Sequence, residues 1–326
     1  MNMKNIIIGC PFDNGIRSML RFERGIIGAD AGPEAVFFAL QKKYSEKYKA
    51  IQMEMLPLRE YNLDVNTSNV YDPAFRQAQK KATLKAHDIM TAKIKEVCEQ
   101  GFIPVSIGGD HSVSYPLCRG LCEANPGKKV GVIYIDAHFD MREYDKDEEI
   151  GGVISSGNSF RRMIEDEKLN IKGENVIVIG IHNTGSEIYL ALENYAKSEN
   201  VTIVYDYDVK NIDEVVRNAL TIAGHNTDLI YFSVDTDAVN EKYVSGVSAP
   251  AETGITDLQL YDLVKGIASD ERVVAFDIAE TSSRELSWKE LLKGEIRNEV
   301  EAERKEKLRQ TAEIVVRVID SFLSVK

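Results

Sequence analysis

Acidic and imidazole side chains alternate in the segment DAHFD, which directly follows the apolar run VGVIYI. In an extended chain every second side chain points to the same side. We therefore expect Asp136, His138 and Asp140 to converge, with Ala137 and Phe139 turned away. Carboxylates held this close repel each other, so the pattern predicts a bound cation that offsets the repulsion.

Similar side chains follow four other apolar runs. His111 comes shortly after FIPVSI, His182 after VIVIGI, Asp235 and Asp237 after DLIYFSV, and Glu280 after RVVAFDI. The residues before these runs form no such pattern. In open parallel sheets the ligand site lies beyond the carboxyl ends of the strands. The one-sided placement therefore predicts a single active site.

The candidate metal ligands comprise four carboxylates and two imidazoles: His111, Asp136, His138, Asp140, Asp235 and Asp237. One divalent cation cannot neutralise four carboxylates, whereas two cations can if some carboxylates bridge them. An oxygen-rich ligand set without thiolates suits Mn²⁺ better than Zn²⁺ or Cu²⁺, and Ni²⁺, Co²⁺ and Fe²⁺ stay compatible. We therefore expect two Mn²⁺ per chain.

The elements that position these residues are short Val/Ile-rich runs separated by helical segments. Runs without strict alternation are typical of strands that helices cover on both faces. They lie at residues 5–9, 102–108, 130–135, 176–181, 201–205, 228–234 and 272–278. Asp72 and Pro73 begin a long helix that Gly101 ends, and another helix is expected over 297–325. The pattern predicts one α/β domain, residues 1–326, with a mostly parallel central sheet.

Composition limits the partners. The 326 residues carry a net charge of −12 and no basic stripe, which argues against nucleic acid and against an anionic membrane surface. Neither a signal peptide nor a membrane span is recognisable, so we expect a cytoplasmic protein. The four cysteines lack a second pair at zinc spacing and are interpreted as small buried apolar residues.

Three segments together resemble the signature motifs of one enzyme family. GGDHS (108–112), DAHFD (136–140) and SVDTD (233–237) are similar to those of the ureohydrolase superfamily, which includes arginase, agmatinase and formimidoylglutamase. The resemblance implies a three-layer α/β/α sandwich of the arginase type and a dinuclear manganese site. It implies one ion held by His111, Asp136, Asp140 and Asp235. It implies a second ion held by Asp136, His138, Asp235 and Asp237, with Asp136 and Asp235 bridging.

Further segments favour the formimidoylglutamase branch. GVSAPAETGIT (246–256), SSGNSFRR (155–162) and the Arg that follows DAHFDM resemble that branch. The resemblance implies hydrolysis of N-formimino-L-glutamate to L-glutamate and formamide, a step of histidine degradation. The implied substrate-binding residues are Arg142, Ser156, Asn158, Arg161 and Asn183. The substrate has two carboxylates, so we expect Arg142 and Arg161 to bind them, because guanidinium groups bind carboxylates in a bidentate manner.

The resemblance also implies a mechanism. The two ions would lower the pKa of a water that attacks the planar amidine carbon, while Glu280 accepts hydrogen bonds from the amidine nitrogens. Asp140 would take the proton of the water and pass it to the leaving amine. His182 is a candidate for the final proton donor.

Some residues depart from the branch pattern and keep alternatives open. Phe160 stands near the place of an arginase histidine, which counts against arginase, whereas Asn158 is arginase-like. The segment from Asn14 to Ala29 is longer than usual, and we expect it to border the cleft. The alternatives are an arginase- or agmatinase-type hydrolase that releases urea, a deacetylase-type enzyme with one zinc, and a non-catalytic metal-binding protein. The resemblance also implies a homo-oligomer, either a trimer or a hexamer.

Overall fold

The computed structural model of the chain describes residues 4–44, 46–143, 149–182 and 185–326. In these residues eight parallel strands form one sheet in the order β3-β1-β4-β9-β8-β5-β6-β7. These strands are β1 Lys4–Gly9, β3 Gln52–Met55, β4 Phe102–Ile107, β5 Val130–Ile135, β6 Val176–Ile181, β7 Thr202–Tyr205, β8 Leu229–Asp235 and β9 Val273–Ala279. Two short strands, β2 Ile26–Ile27 and β10 Leu286–Ser287, pair antiparallel outside this sheet.

Helices connect the strands and cover both faces of the sheet. They are α1 Asn14–Met19, α2 Gly32–Tyr44, α3 Pro73–Glu99, α4 Ser114–Ala124, α5 Ser159–Glu165, α6 Glu187–Ser198, α7 Ile212–Ala223, α8 Asp257–Ala268 and α9 Glu301–Leu323. Asp72 caps α3 by accepting a hydrogen bond from the Ala74 amide at 3.0 Å, as its side chain and Pro73 predicted. The carboxyl-terminal helix begins at Glu301, four residues later than expected.

The sheet separates two apolar cores, because alternate strand side chains point to opposite faces. On one face Ile7 and Phe232 pack with the apolar sides of α2, α7, α8 and α9. On the other face Ile8 and Tyr231 pack with α3, α4, α5 and α6. This is the three-layer α/β/α sandwich that the family resemblance implied. No helix of the described residues combines the length and apolar character that a membrane span requires.

A third, smaller apolar cluster supports the segment that follows β1. Leu20 and Ile27 from this segment are buried with Val65 and Val70, and Trp288 packs against them. The cluster fixes residues 20–27 beside the carboxyl ends of the strands. The fold therefore brings the long loop between β1 and α2 to the edge where the candidate ligands were expected.

Candidate active site

Four neighbouring strands carry the candidate site. In the sheet order, β4, β9, β8 and β5 lie side by side, and His111, Glu280, Asp235 and Asp136 all stand at or just beyond their carboxyl ends. Because the strands are parallel, these ends meet at one edge of the sheet. The side chains of separate motifs are therefore neighbours in space.

The first ligand cluster surrounds one nitrogen of His111. Its Nδ1 lies 3.1 Å from Asp136 Oδ2, 3.0 Å from Asp140 Oδ2 and 3.2 Å from Asp235 Oδ2. Ligand atoms of these four residues lie within 4.8 Å of one another, which is a spacing that one metal ion can bridge. The four residues are the set expected for the first ion.

The second ligand cluster contains His138. Its Nδ1 lies 3.2 Å from Asp237 Oδ2 and 3.6 Å from Asp136 Oδ1, and the three residues again have ligand atoms within 4.8 Å of one another. Asp136 belongs to both clusters, in agreement with its expected bridging position. Asp235 belongs to the first cluster alone in this geometry, so its bridging position stays a prediction.

Residues 136–140 bring their side chains together because the chain turns, and not because side chains alternate along an extended strand. Strand β5 ends at Ile135, and Asp140 has a φ of 46°, so residues 136–140 form a loop rather than a strand. The Asp136 side chain accepts a hydrogen bond from the His138 amide at 2.6 Å, which turns the chain. Asp235 accepts one from the Asp237 amide at 2.7 Å in the same way. The expectation of an extended segment was therefore wrong, although the side chains do meet.

The ring of His111 is held by a buried hydrogen-bond chain. Its Nε2 lies 3.0 Å from Ser233 Oγ, and Ser233 donates to Asp277 Oδ1 at 3.0 Å. Ser114 also donates to this oxygen, at 2.8 Å. Because the Ser233 proton is directed to Asp277, His111 Nε2–H is the donor to Ser233, and the lone pair of Nδ1 faces the carboxylates. Phe160 packs edge-on against the same ring, with centroids 5.1 Å apart.

The electrostatics of the cluster are in conflict unless a cation is present. Burial, reinforced by Asp237 and Asp136, raises the pKa of Asp235 well above its usual range. Burial and the charge of Asp136 raise the pKa of Asp140 to about 6. Burial opposes protonation of His111, but the surrounding carboxylates outweigh it and raise the pKa of this imidazole. Ionised carboxylates and a neutral imidazole would coexist readily around a metal ion.

Unpaired polar atoms support the same interpretation. His111 Nδ1, Asp136 Oδ2 and Asp237 Oδ1 are buried and have no hydrogen bond of acceptable geometry in the described part of the chain. Buried polar atoms without a partner are costly. Two of them, His111 Nδ1 and Asp136 Oδ2, lie 3.1 Å apart, and the donor set is oxygen and imidazole nitrogen. The residues therefore fit a pair of hard divalent cations such as Mn²⁺.

Glu280 stands beside the metal-ligand clusters. It is buried, with a left-handed φ of 67°, and its Oε1 accepts a hydrogen bond from the His111 amide at 2.8 Å. Its Oε2 has no well-formed hydrogen bond among the described residues, although the Ser248 side chain lies close enough to act on this carboxyl. Burial and the nearby Asp110 raise the pKa of Glu280 well above its usual range. A cationic group that donates N–H bonds would complement this oxygen.

Two adjoining cavities open over these residues. The inner cavity, about 120 Å³, is lined by His138, Asp140, Asp235, Asp237 and Glu280, together with Arg142 and Ser156. The outer cavity, about 450 Å³, is lined by apolar and polar side chains in equal number, and the charged ones include Arg142, Glu143 and Glu187. The pair is large enough for a small amidine or guanidino compound. Arg142 and Ser156 are therefore in the position expected of substrate-binding residues.

The structure gives less support to two other predicted substrate-binding residues. Asn158 lines the outer cavity, but its amide donates to Val153 O at 2.7 Å and accepts from the Ser155 amide at 3.2 Å. Arg161 lies outside both cavities: it pairs with Glu165 at 2.7 Å and stacks on Tyr195. The structure therefore does not bring Arg161 to Arg142, because the Glu165 carboxylate one helical turn away binds its guanidinium.

His182 lies behind the second cluster rather than on a cavity wall. Its amide donates to Ala137 O at 3.0 Å, and its Nε2 is 3.7 Å from Asp206 Oδ2 without a hydrogen bond in the described residues. Burial lowers the pKa of His182 in spite of Asp206. Asn183 falls outside the described residues, so its predicted role stays a prediction.

Among the cavity-wall residues that were not predicted, two bear on substrate binding. Arg24 lines both cavities, and Ser248 lines the inner one with Glu280. Ser248 lies in the GVSAP segment that was noted for its resemblance, which was the available signal. Arg24 lies in the long segment expected to border the cleft, where Arg17 and Arg21 are equally plausible from sequence.

Comparisons with known proteins agree with this geometry. Residues 3–286 match the model of the arginase family. A formimidoylglutamase from Staphylococcus epidermidis is 28% identical over 275 residues, which cover 84% of this chain and 77% of the relative. The structure of Trypanosoma cruzi formiminoglutamase with Mn²⁺₂ has a TM-score of 0.71 and 21% identity, and covers 100% of this chain and 95% of that one.

An arginase shares the same fold. The arginase from Bacillus caldovelox has a TM-score of 0.73 and 20% identity, with 99% of each chain covered. Similarity at this level of identity concerns the architecture, whereas the family match covers most of the sequence. The chain therefore belongs to the arginase family, and it is a hydrolase of C–N bonds in linear amidines or guanidines.

Proposed function

We propose that this protein hydrolyses N-formimino-L-glutamate to L-glutamate and formamide, with two Mn²⁺ held by the six ligand residues. The observation that carries the proposal is Arg142. Its guanidinium lines the wall of the cavity that also contains Asp140 and Glu280, and it has no carboxylate partner among the described residues. An unpaired guanidinium beside a metal cluster suits a substrate that carries its own carboxylate.

The ligand residues divide into the two clusters already described, with Asp136 common to both. Bound manganese would supply the Lewis acid that activates water for attack at neutral pH. The manganese assignment is supported by the oxygen-rich donor set and by the T. cruzi relative with Mn²⁺₂. The residues of the chain then have to orient the amidine and move protons.

Glu280 is proposed to hold the amidine. Its Oε2, which has no well-formed hydrogen bond in the described residues, would accept an N–H bond, which turns the amidine carbon toward the metal clusters. Asp140 would accept the proton of the attacking water and pass it to the nitrogen of the leaving amine. The bond between the formimino carbon and the glutamate nitrogen breaks, and formamide and L-glutamate leave. His182, behind the second cluster, is the candidate donor of the final proton, which the released amine takes up.

The substrate assignment has independent support from the relatives and from one loop. The S. epidermidis relative at 28% identity carries the name formimidoylglutamase. Ser248 of the GVSAP segment, which resembles that branch, lines the inner cavity. A guanidino hydrolase that releases urea is the second candidate, favoured by the arginase-like Asn158. Its amide is occupied by Val153 and Ser155, which weakens that candidate.

The product distinguishes the two candidates. Manganese-loaded protein is incubated in turn with formiminoglutamate, arginine, agmatine and guanidinobutyrate, and both formamide and urea are measured. We expect formamide from formiminoglutamate and at most traces of urea from the other three. Asp136→Asn serves as the matched control, because it removes the ligand common to both clusters and should abolish turnover. Urea as the main product would overturn the substrate assignment.

A further inference from the structure

We propose that Arg24 is the specificity-determining residue for the second carboxylate of the substrate, the one distant from the bond that breaks. This inference rests on the proposed function, since it names how the same site selects a dicarboxylate. Arg24 lies between Glu23 and Gly25 in the segment that joins β1 to α2. No motif of the sequence singled it out.

The placement of Arg24 sets it apart from the other arginines of its segment. Arg17 is bound by Asp13 at 2.5 Å, and Arg21 stacks on Phe22. Arg24 instead lines both cavities together with Arg142, and no ion pair involves it in the described part of the chain. It is half-buried, so its charge is directed at the cavity rather than spread in solvent.

The two cavity arginines are neighbours in the site. Both line the inner and the outer cavity, and both side chains are half-buried. Two like charges at one cavity wall repel each other unless an anion lies between them. No ion pair joins either arginine to a carboxylate in the described part of the chain, although Glu143 and Glu187 also line the outer cavity. A dicarboxylate ligand would supply the missing negative charges, one for each guanidinium.

The loop that carries Arg24 is fixed rather than free. Glu23 and Gly25 have φ angles of 57° and 88°, so the chain turns sharply at Arg24. The Trp288 amide donates to Gly25 O at 3.3 Å. Upstream, the Ile16 amide donates to Asp110 Oδ2 at 2.7 Å, which ties the loop to the residue before His111. These contacts hold Arg24 in a defined position relative to the loop that supplies metal ligands.

The positions of Arg142 and Arg24 in the chain indicate which carboxylate of the substrate each one binds. Arg142 follows Asp140 by two residues, and its backbone amide donates to Gly157 O at 2.8 Å, beside Ser156. It is therefore tied to the loop that supplies metal ligands, where the formimino group and the adjacent α-carboxylate would lie. Arg24 lines the same two cavities from a separate segment, which supplies none of the metal ligands. We therefore assign the α-carboxylate to Arg142 and the distal carboxylate to Arg24.

Substrate truncation combined with mutation tests the assignment. The substrates are N-formimino-L-glutamate and N-formimino-L-alanine, which lacks the distal carboxylate. We expect Arg24→Gln to raise KM for the first by about 10- to 100-fold, the range of one charged hydrogen-bonded contact. The change in kcat should be smaller, and KM for the alanine compound should stay within about twofold because the lost contact is absent there. Arg24→Lys should restore part of the loss.

Controls and a binding measurement separate the possible failures. Arg59→Gln removes an arginine that pairs with Glu34 at 3.0 Å outside both cavities, so its kinetics should match the parent protein. Calorimetric titration with glutarate should show weaker binding to Arg24→Gln than to the parent protein. An equal loss for both substrates, or no loss for either, would overturn the role of Arg24. A parent protein that releases no formamide would overturn the proposed function, while the glutarate titration would still test Arg24.

Discussion

The buried carboxylate of Asp277 determines which nitrogen of His111 faces the ligand clusters. It accepts hydrogen bonds from Ser114, Ser233 and Tyr231. With its proton directed to Asp277, Ser233 can only accept from His111 Nε2–H. A carboxylate outside the ligand set therefore fixes the imidazole in the tautomer that a metal requires.

Replacement of Asp277 should weaken metal binding without removing a ligand. Asp277→Asn supplies one acceptor oxygen in place of two, so Ser233 can turn away and release His111. We expect the affinity for Mn²⁺ to fall by about 10- to 100-fold, measured by calorimetry, and activity to recover largely in excess Mn²⁺. Asp270→Asn, a carboxylate that pairs with Arg272 just before β9, is the matched control. Unchanged Mn²⁺ affinity in Asp277→Asn would contradict the orienting role.

Residue types could be predicted at the metal clusters but only in part at the substrate end, where Arg142 and Ser156 line the inner cavity and Arg161 does not. The ligand residues are recognisable because carboxylates and imidazoles right after buried strands are costly without a cation. Arginines carry no such signal, since most of them are ordinary surface residues. Arg161 and Arg24 look alike in sequence, and only the tertiary structure reveals that Glu165 binds the first while the second lines the cavities.

At the scale of the elements, strand composition predicted seven strands of the sheet but missed the edge strand β3. The seven Val/Ile-rich runs are all strands, whereas β3, with the sequence QMEM, was missed. It pairs only with β1 at the edge of the sheet and is half-exposed, so it needs no apolar run. The order of the strands was likewise not predictable, since β9 inserts between β4 and β8 from a distant part of the chain. That insertion brings Glu280 to the ligand clusters.

Helix α3 contains a buried histidine that makes the fold sensitive to acid. His87 is 1% exposed, packs against Phe12 and Tyr115, and neither ring nitrogen has a hydrogen-bond partner in the described residues. Burial, with the charges of Arg162 and Arg119, lowers the pKa of His87 well below its usual value. Below pH 6.5 the unfolded chain therefore binds a proton at this position that the folded chain does not.

The free energy of unfolding should consequently fall as the pH drops from 6.5 toward the folded pKa of His87. The slope from this one group is at most about 1.4 kcal/mol per pH unit. Urea unfolding at several pH values should give a shallower acid slope for His87→Leu than for the parent protein. His225→Leu, which removes an exposed histidine, is the control. Equal slopes in the parent protein and His87→Leu would exclude this origin of acid sensitivity.

At the scale of the whole molecule, negative charge is concentrated at the functional edge of the sheet. The chain has a net charge of −12, and the four aspartates of the two adjoining ligand clusters are all buried. Such a group stabilises the fold only when cations bind it, because buried like charges otherwise repel. Function and stability therefore depend on the same ions, and folding is expected to be linked to metal binding.

Removal of one ligand carboxylate should therefore change thermal stability in opposite directions in the metal-free and the metal-bound protein. Asp235 is the sharpest choice, since burial and the neighbouring Asp237 and Asp136 raise its pKa most clearly. Asp235→Asn keeps an oxygen that can accept a hydrogen bond from the Asp237 amide, but it removes a repelling charge. After treatment with a chelator, the variant should therefore melt at the same temperature as the parent protein or at a higher one. With Mn²⁺ at 100 times its Kd, the parent protein should gain about 2.7 kcal/mol per site, and the variant should gain much less. Calorimetric scans of both proteins with and without Mn²⁺ measure this crossing. A variant that melts lower in both states would mean that packing, rather than charge repulsion, determines the stability of this edge.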